Sequence, residues 1–201
     1  MDVTEYPYVF FPVGLNVRDR DCLVIGDDRE ANEKEAALRE TGARVRRIRE
    51  VTNVRDEDVR DAFLVISTPQ DEALAARLRA LADKHRFLFC AIDQPRYGFV
   101  AMQAVAKAGP VRIAISTGGI SPRVGGKLRV ALQAALDATF ERFMNCLNAQ
   151  RQRNRGRLDE SEARREAMIL AAEGFEVEVR MRYPEWFTAG ADAPEVRSGE
   201  R

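Results

Sequence analysis

The sequence predicts an α/β chain, and three observations carry that prediction. Short apolar runs alternate with helical segments through the first half of the chain. A glycine turn joins the first apolar run directly to the first helix, which opens a βαβ unit. Beyond Asp93 the alternation gives way to two closely spaced strands and a long apolar helical stripe. Four strands with crossover helices imply a parallel sheet covered on both faces. A small strand-plus-long-helix unit and a helical C-terminal region follow.

In order, Cys22, Leu23, Val24 and Ile25 form a first strand, residues 31–41 a helix that ends before Gly42, and residues 44–48 a second strand. Residues 63–67 give a third strand, 71–84 a helix and 87–92 a fourth strand. Ligands of such sheets bind beyond the carboxyl ends of the strands, which draws attention to Gly26 through Asp28, to Arg49, Glu50 and Val51, to Thr68, and to Asp93. Residues 99–103 and 111–115 read as two further strands joined through Lys107, Ala108, Gly109 and Pro110. Ser121 followed by Pro122 is an N-cap with proline in the first helical turn. Val124, Leu128, Leu132, Leu136, Phe140, Phe143 and Leu147 continue from it as one apolar stripe, about seven turns long. Little chain remains to cover that stripe, so a homodimer interface is expected in preference to intrachain packing.

Residues 150–157 are basic and polar, 159–173 form another helix before Gly174, and Val177, Val179 and Met181 alternate with charges as an edge strand. The residues after Phe187 have the composition of a disordered tail. The expected partition is a dinucleotide-binding domain over 1–110, a dimerisation unit over 111–150, a small helical region over 151–187 and a tail over 188–201.

With 201 residues, 45% of them hydrophobic, the chain is able to bury one good core and a smaller appended unit. Its 32 basic and 32 acidic residues cancel, so no global field points to nucleic acid or an anionic membrane. The apolar runs are too short for a bilayer span, and the N-terminal residues lack the zones of a signal peptide; a cytoplasmic, soluble protein is expected. Cys22, Cys90 and Cys146 lie far apart and read as buried reduced thiols. His85, the sole histidine, ends a helix and reads as a solvated cap, and no cluster has metal-ligand spacing, so no metal site is expected.

The turn itself is Gly26, Asp27, Asp28, Arg29, Glu30, Ala31. In the G-x-G-x-x-G/A pattern the first glycine makes the tight turn, the second lets backbone approach a diphosphate, and the third small residue packs helix on strand. Gly26 and Ala31 fill the first and third places, and Asp28 stands in the second. A carboxylate there either opposes the attraction of the helix N-terminus for anions or simply caps the helix. Arg46, Arg47 and Arg49 suggest a 2′-phosphate site, or the outward face of an edge strand; Glu50 beside them favours a ribose hydroxyl and hence NAD. Asp93, before Gln94 and Pro95, is an acid/base candidate at a strand end or a turn-former. Ser116, Thr117, Gly118 and Gly119 lead into a helix N-terminus suited to substrate carboxylates, with Arg123, Lys127 and Arg129 following; the alternative is a plain left-handed turn before a capped helix.

Pro12 through Val17 leading into Cys22 through Gly26, with Ala31, Lys34, Glu40 to Ala43, Cys90 to Pro95 and Ser-Thr-Gly-Gly-Ile-Ser-Pro at 116–122, resemble the precorrin-2 dehydrogenase/sirohydrochlorin ferrochelatase family, the N-terminal module of sirohaem synthase. The resemblance covers about residues 8–150, and the 116–122 stretch is its most specific part. It implies a Rossmann-like domain, a dimerisation unit and a helical region. The implied activity is NAD-dependent oxidation of the tetrapyrrole precorrin-2 to sirohydrochlorin, in some members with insertion of ferrous iron. Asp93 matches the family's catalytic aspartate. The cofactor would meet Gly26, Asp28, Arg29, Glu30, Ala31, Glu50, Val51 and Thr68, and the substrate Ser116, Thr117, Gly118, Gly119, Arg123 and Arg129. Asp28, and Gly126 where the family often has arginine, depart from the pattern. They suit a second reading, a relative that kept the dimeric scaffold for tetrapyrrole or partner binding and lost the cofactor.

Overall fold

In the computed structural model, residues 8–190 and Asp192 are described. The expected tail over 188–201 falls mostly outside the described residues. The chain divides between Glu141 and Arg142 into two compact units.

Strands β1 (Asp21–Ile25), β2 (Arg44–Ile48), β3 (Leu64–Ser67) and β4 (Leu88–Ala91) form one parallel sheet in the order β2-β1-β3-β4. Helices α1 (Arg29–Glu40), α2 (Asp56–Val59) and α3 (Glu72–His85) make the crossovers. Because side chains alternate across a strand, the sheet sorts its residues onto two faces. Leu23, Ile25, Val65 and Phe89 pack with Val59, Leu74, Leu78 and Leu81 of α2 and α3. Cys22, Val24, Leu64, Ile66 and Cys90 pack on the other face with Ala31 and Leu38 of α1. This is the doubly covered Rossmann-like sheet that the apolar runs predict.

The crossover helices are bounded by local capping. Asp71 accepts from the Leu74 amide at 2.9 Å at the start of α3, and Arg86, in the left-handed region at φ 66°, ends it. β2 is an edge strand, and Arg44 and Arg46 on it are tied to Asp21 at 2.7 Å and Asp58 at 2.5 Å. Charged edges of this kind discourage pairing with another sheet.

Two predicted elements are displaced. The fifth strand, expected over 99–103, is instead β5 (Ala104–Ala108), paired antiparallel with β6 (Val111–Ile115) across Gly109 and Pro110. Residues 99 and 100 are not free to join that ladder, because their amides donate to the Phe89 carbonyl at 2.8 and 3.0 Å. The single long helix is two helices, α4 (Pro122–Ala135) and α5 (Ala138–Arg157). The break lies at Leu136 and Asp137, where the Asp137 carboxylate accepts from the Phe140 amide at 2.8 Å and caps a new helix.

In the second unit, the rest of α5 is followed by α6 (Ser161–Ala171) and the short α7 (Glu185–Thr188). Phe143 and Phe175 stack with ring centroids 5.2 Å apart. The edge strand expected over 176–182 is absent: that stretch forms no helix or strand and has no ladder partner among the described residues. Cys22 and Cys90 are buried thiols as expected, whereas Cys146 is exposed on α5. No helix among the described residues is long and apolar enough to cross a membrane.

Candidate functional site

Gly26 sits at the end of β1 with φ 128°, a conformation that disfavours any side chain, and its amide donates to the Ile48 carbonyl at 2.9 Å. A Cβ there would lie 2.2 Å from Thr68 Oγ1. Glycine is therefore required twice over, by backbone and by space. Gly26→Ala is expected to cost roughly 2–4 kcal/mol of stability from strain plus overpacking, read as a lower midpoint in urea unfolding; an unchanged midpoint would refute this packing.

Asp28 adopts extended backbone at φ −87° and N-caps α1. Its Oδ1 accepts from the Ala31 amide at 2.7 Å, and its Oδ2 accepts from the buried Thr68 hydroxyl at 2.5 Å. The Thr68 hydroxyl first, and the Ala31 amide second, hold the Asp28 carboxyl below its ordinary range. The helix N-terminus thus carries an anion of the chain's own making. The carboxylate is exposed, so a dinucleotide diphosphate reaching those amides has one side chain to displace. The turn fits a dinucleotide in its tight bend at Gly26, its buried Ala31 and its strand-end Thr68, with Asp28 as the competing group.

Arg47 fixes the other side of the turn. Its side chain is buried, and it donates to the Gly26 carbonyl at 2.9 Å, to Glu35 at 3.1 Å and to Asn32. Arg49 pairs with Asp27 at 2.6 Å. The arginines at the end of β2 therefore answer acids of the chain itself. Glu50 is exposed and Val51 packs against the core. Arg29 pairs outward with Glu33 at 2.8 Å.

A cavity of about 400 Å³ opens in the first unit, bounded by α1, the segment after β4 and the loop between β6 and α4. Asp93 lines it just past β4, and its carboxylate has no hydrogen bond or ion pair among the described residues. Its backbone is in the left-handed region, φ 57°, which Asp tolerates better than most residues. Across the cavity, Ser116, Thr117, Gly118 and Gly119 curve through two left-handed glycines, φ 60° and 80°. The loop braces itself: the Gly118 amide donates to Ser116 Oγ at 3.3 Å, and the Ser121 amide to Thr117 Oγ1 at 3.4 Å. Ser121 in turn accepts from the Val124 amide at 3.3 Å, capping α4.

Glu30 and Lys34, one turn apart on α1, form an ion pair of 3.2 Å on the cavity wall. Glu30 therefore faces this cavity. Burial pushes the Cys90 thiol, also on the wall, up to about 11. The geometry brings Asp93, the 116–119 loop and Glu30 together and leaves Arg123 and Arg129 of α4 outside the lining. Gly126 has open space around it. Lys34 is the lining cation that a search for strand-end residues misses; its helical spacing from Glu30 is the signal that finds it. The described residues hold no group of three or more His, Cys, Asp or Glu arranged to bind a metal ion.

Residues 13–104 match a family model described as putative NAD(P)-binding. The chain is 28% identical over 184 residues to the sirohaem synthase of Thioalkalivibrio sulfidiphilus, covering 82% of this chain and 37% of that protein. It is 26% identical over 174 residues to the sirohaem synthase of Nitrosococcus oceani, with 78% and 37% covered. Against the Escherichia coli O17:K52:H18 enzyme the figures are 29% over 143 residues, 62% and 31%. The chain thus spans about a third of the length of these relatives. Among solved structures, SirC, a precorrin-2 dehydrogenase, superposes with a TM-score of 0.67 at 19% identity, covering 82% of this chain and 90% of that one.

Proposed function

We propose that the chain is a member of the precorrin-2 dehydrogenase/sirohydrochlorin ferrochelatase family, which its NAD(P)-binding match and its likeness to sirohaem synthases support, and that it oxidises precorrin-2 to sirohydrochlorin with NAD. The observation that carries the reading is the unpaired Asp93 carboxylate on the cavity wall, facing the 116–119 loop. Oxidation of the macrocycle removes a hydride and a proton. Gly26, Ala31 and Thr68 would hold NAD, which when bound would supply the hydride acceptor. Asp93 takes the proton from the substrate carbon skeleton and releases it to solvent, a task suited to an exposed carboxylate. The amides and hydroxyls of Ser116 through Gly119 orient substrate carboxylates, and Lys34 adds a positive charge on the same wall.

NAD is favoured over NADP because Arg49, the exposed arginine at the end of β2, already answers Asp27, and Asp27 would repel a 2′-phosphate. In a chelatase step Asp93 would accept protons from pyrrole nitrogens as ferrous iron enters as substrate. A homodimer is part of the proposal, since Ile120, Val124 and Val130 along α4 and the loop before it are exposed apolar residues.

A second reading has its own support. The Asp28 carboxylate on the first amides of α1 suits a scaffold that binds tetrapyrrole without cofactor. Titrating the purified chain with NAD and NADP, then supplying precorrin-2 and following sirohydrochlorin absorbance, separates the two. Turnover with NAD is expected; no cofactor binding and no turnover would overturn the dehydrogenase. Iron or cobalt insertion into sirohydrochlorin without oxidation would leave a chelatase alone.

A further inference from the structure

The second unit contains a cavity of about 470 Å³ between α5 and α6. Facing helices usually bury apolar side chains against each other, but here the wall is cationic. Arg151 and Arg155 line it from α5, Arg164 and Arg165 from α6, and no acidic side chain is among its lining residues. Arg155 lies in the last turn of α5, where a cation also offsets the helix dipole. Arg151 and Arg165 have no such role, and none of Arg151, Arg155 and Arg165 has an acidic partner among the described residues.

Two further observations point to the same chemistry. Helix α6 begins at Ser161 with no side-chain cap from Glu160, so its first amides are free, and Ser161 itself lines the cavity. Arg164 is anchored by donating from Nη1 to the carbonyls of Leu158 and Asp159, both at 2.7 Å, which orients its remaining N–H groups. At the base, buried Asn154 accepts from Gln150 Nε2 at 3.0 Å and spends one amide proton on the weak acceptor Met168 Sδ at 3.8 Å.

We propose that this arginine-lined cleft binds a small molecule carrying clustered oxyanions, phosphate or carboxylate. Four guanidinium groups around one cavity repel each other in the free chain, and a multivalent anion converts that repulsion into charge-assisted, bidentate hydrogen bonds. The volume suits a compact ligand of a few anionic groups.

Calorimetric titration of the full chain at low salt with tripolyphosphate and, separately, citrate tests this. One probe per chain is expected to bind, more weakly as salt is added. The paired substitution Arg155→Gln and Arg165→Gln is expected to weaken binding about tenfold or more, while Arg153→Gln, which pairs with Gln150 outside the cleft, leaves it unchanged. Preference for tripolyphosphate assigns phosphate chemistry, and preference for citrate assigns carboxylate. If circular dichroism shows the double variant misfolded, Arg165→Gln alone carries the test, with an expected loss of about threefold or more. Absence of binding for both probes, or binding unchanged in the variants, overturns the proposal, since the anion would then be held elsewhere.

Discussion

Asp93→Asn is expected to lower the rate of precorrin-2 oxidation by about 10²–10⁴-fold, the usual contribution of a positioned general base, while leaving tetrapyrrole binding within a few-fold. Asparagine is the informative substitution because Asp93 sits at φ 57°, a conformation Asn adopts as readily as Asp and Ala does not. The amide keeps size and backbone and removes only the proton acceptor. Steady-state kinetics should therefore show kcat falling with KM nearly constant, and fluorescence quenching should show substrate still bound. A kcat within threefold of the wild type would remove Asp93 from the chemistry. Substitution by alanine would confound that reading with strain in the segment after β4.

Asp28→Gly is expected to raise NAD affinity by about tenfold or more, the scale of removing one charge from an anion seat at a helix start. The substitution frees the Ala31 amide and Thr68 hydroxyl that the carboxylate now occupies. Its cost in stability is about 1–2 kcal/mol: glycine is itself a tolerated N-cap, but the buried Thr68 hydroxyl loses its shorter acceptor. Asp28→Asn retains a capping oxygen without charge and should fall between the two, separating repulsion from occupancy. Titration calorimetry of the three proteins decides it: equal affinities would show that the carboxylate swings clear at no cost. The carboxyl is held low, so it stays ionised through the neutral range. Its contribution to stability is present above the ordinary carboxylate value, ~3.9, and is lost only as pH falls through the depressed one. Mild acidification to pH 5 should therefore not mimic the substitution.

Much of this arrangement was legible in the residues, for identifiable reasons. Three strands of the sheet, β1, β3 and β4, are short apolar runs, and β2 is an alternating charged edge, so period and length separate them from the helices. Asp93 was found by asking what ends a parallel strand, and the 116–122 stretch by its glycines and its capped proline. Where prediction missed, a local polar group had competed with a regular pattern. The apolar stripe from Val124 to Leu147 keeps its period straight through Asp137, so periodicity could not register that the Asp137 carboxylate caps a second helix there. The fifth strand moved because the Phe89 carbonyl had claimed two amides, a tertiary pairing with no trace in sequence. Arg47 read as one of several edge-strand arginines, yet it is buried and grips the Gly26 carbonyl. Of the two uses open to Asp28, capping is the one its hydrogen bonds display.

All four strands of the parallel sheet lie within residues 21–91, and the central pair, β1 and β3, acquires its neighbours from adjacent stretches of chain. Every pairing the sheet needs is therefore closed inside that one stretch of chain. Its parallel pairings nevertheless bridge residues as far apart as Cys22 and Leu64, so the crossover helices must be in place before the ladder closes, and the sheet is the slow step of this unit's folding. No strand of that sheet is drawn from the arginine-rich second unit.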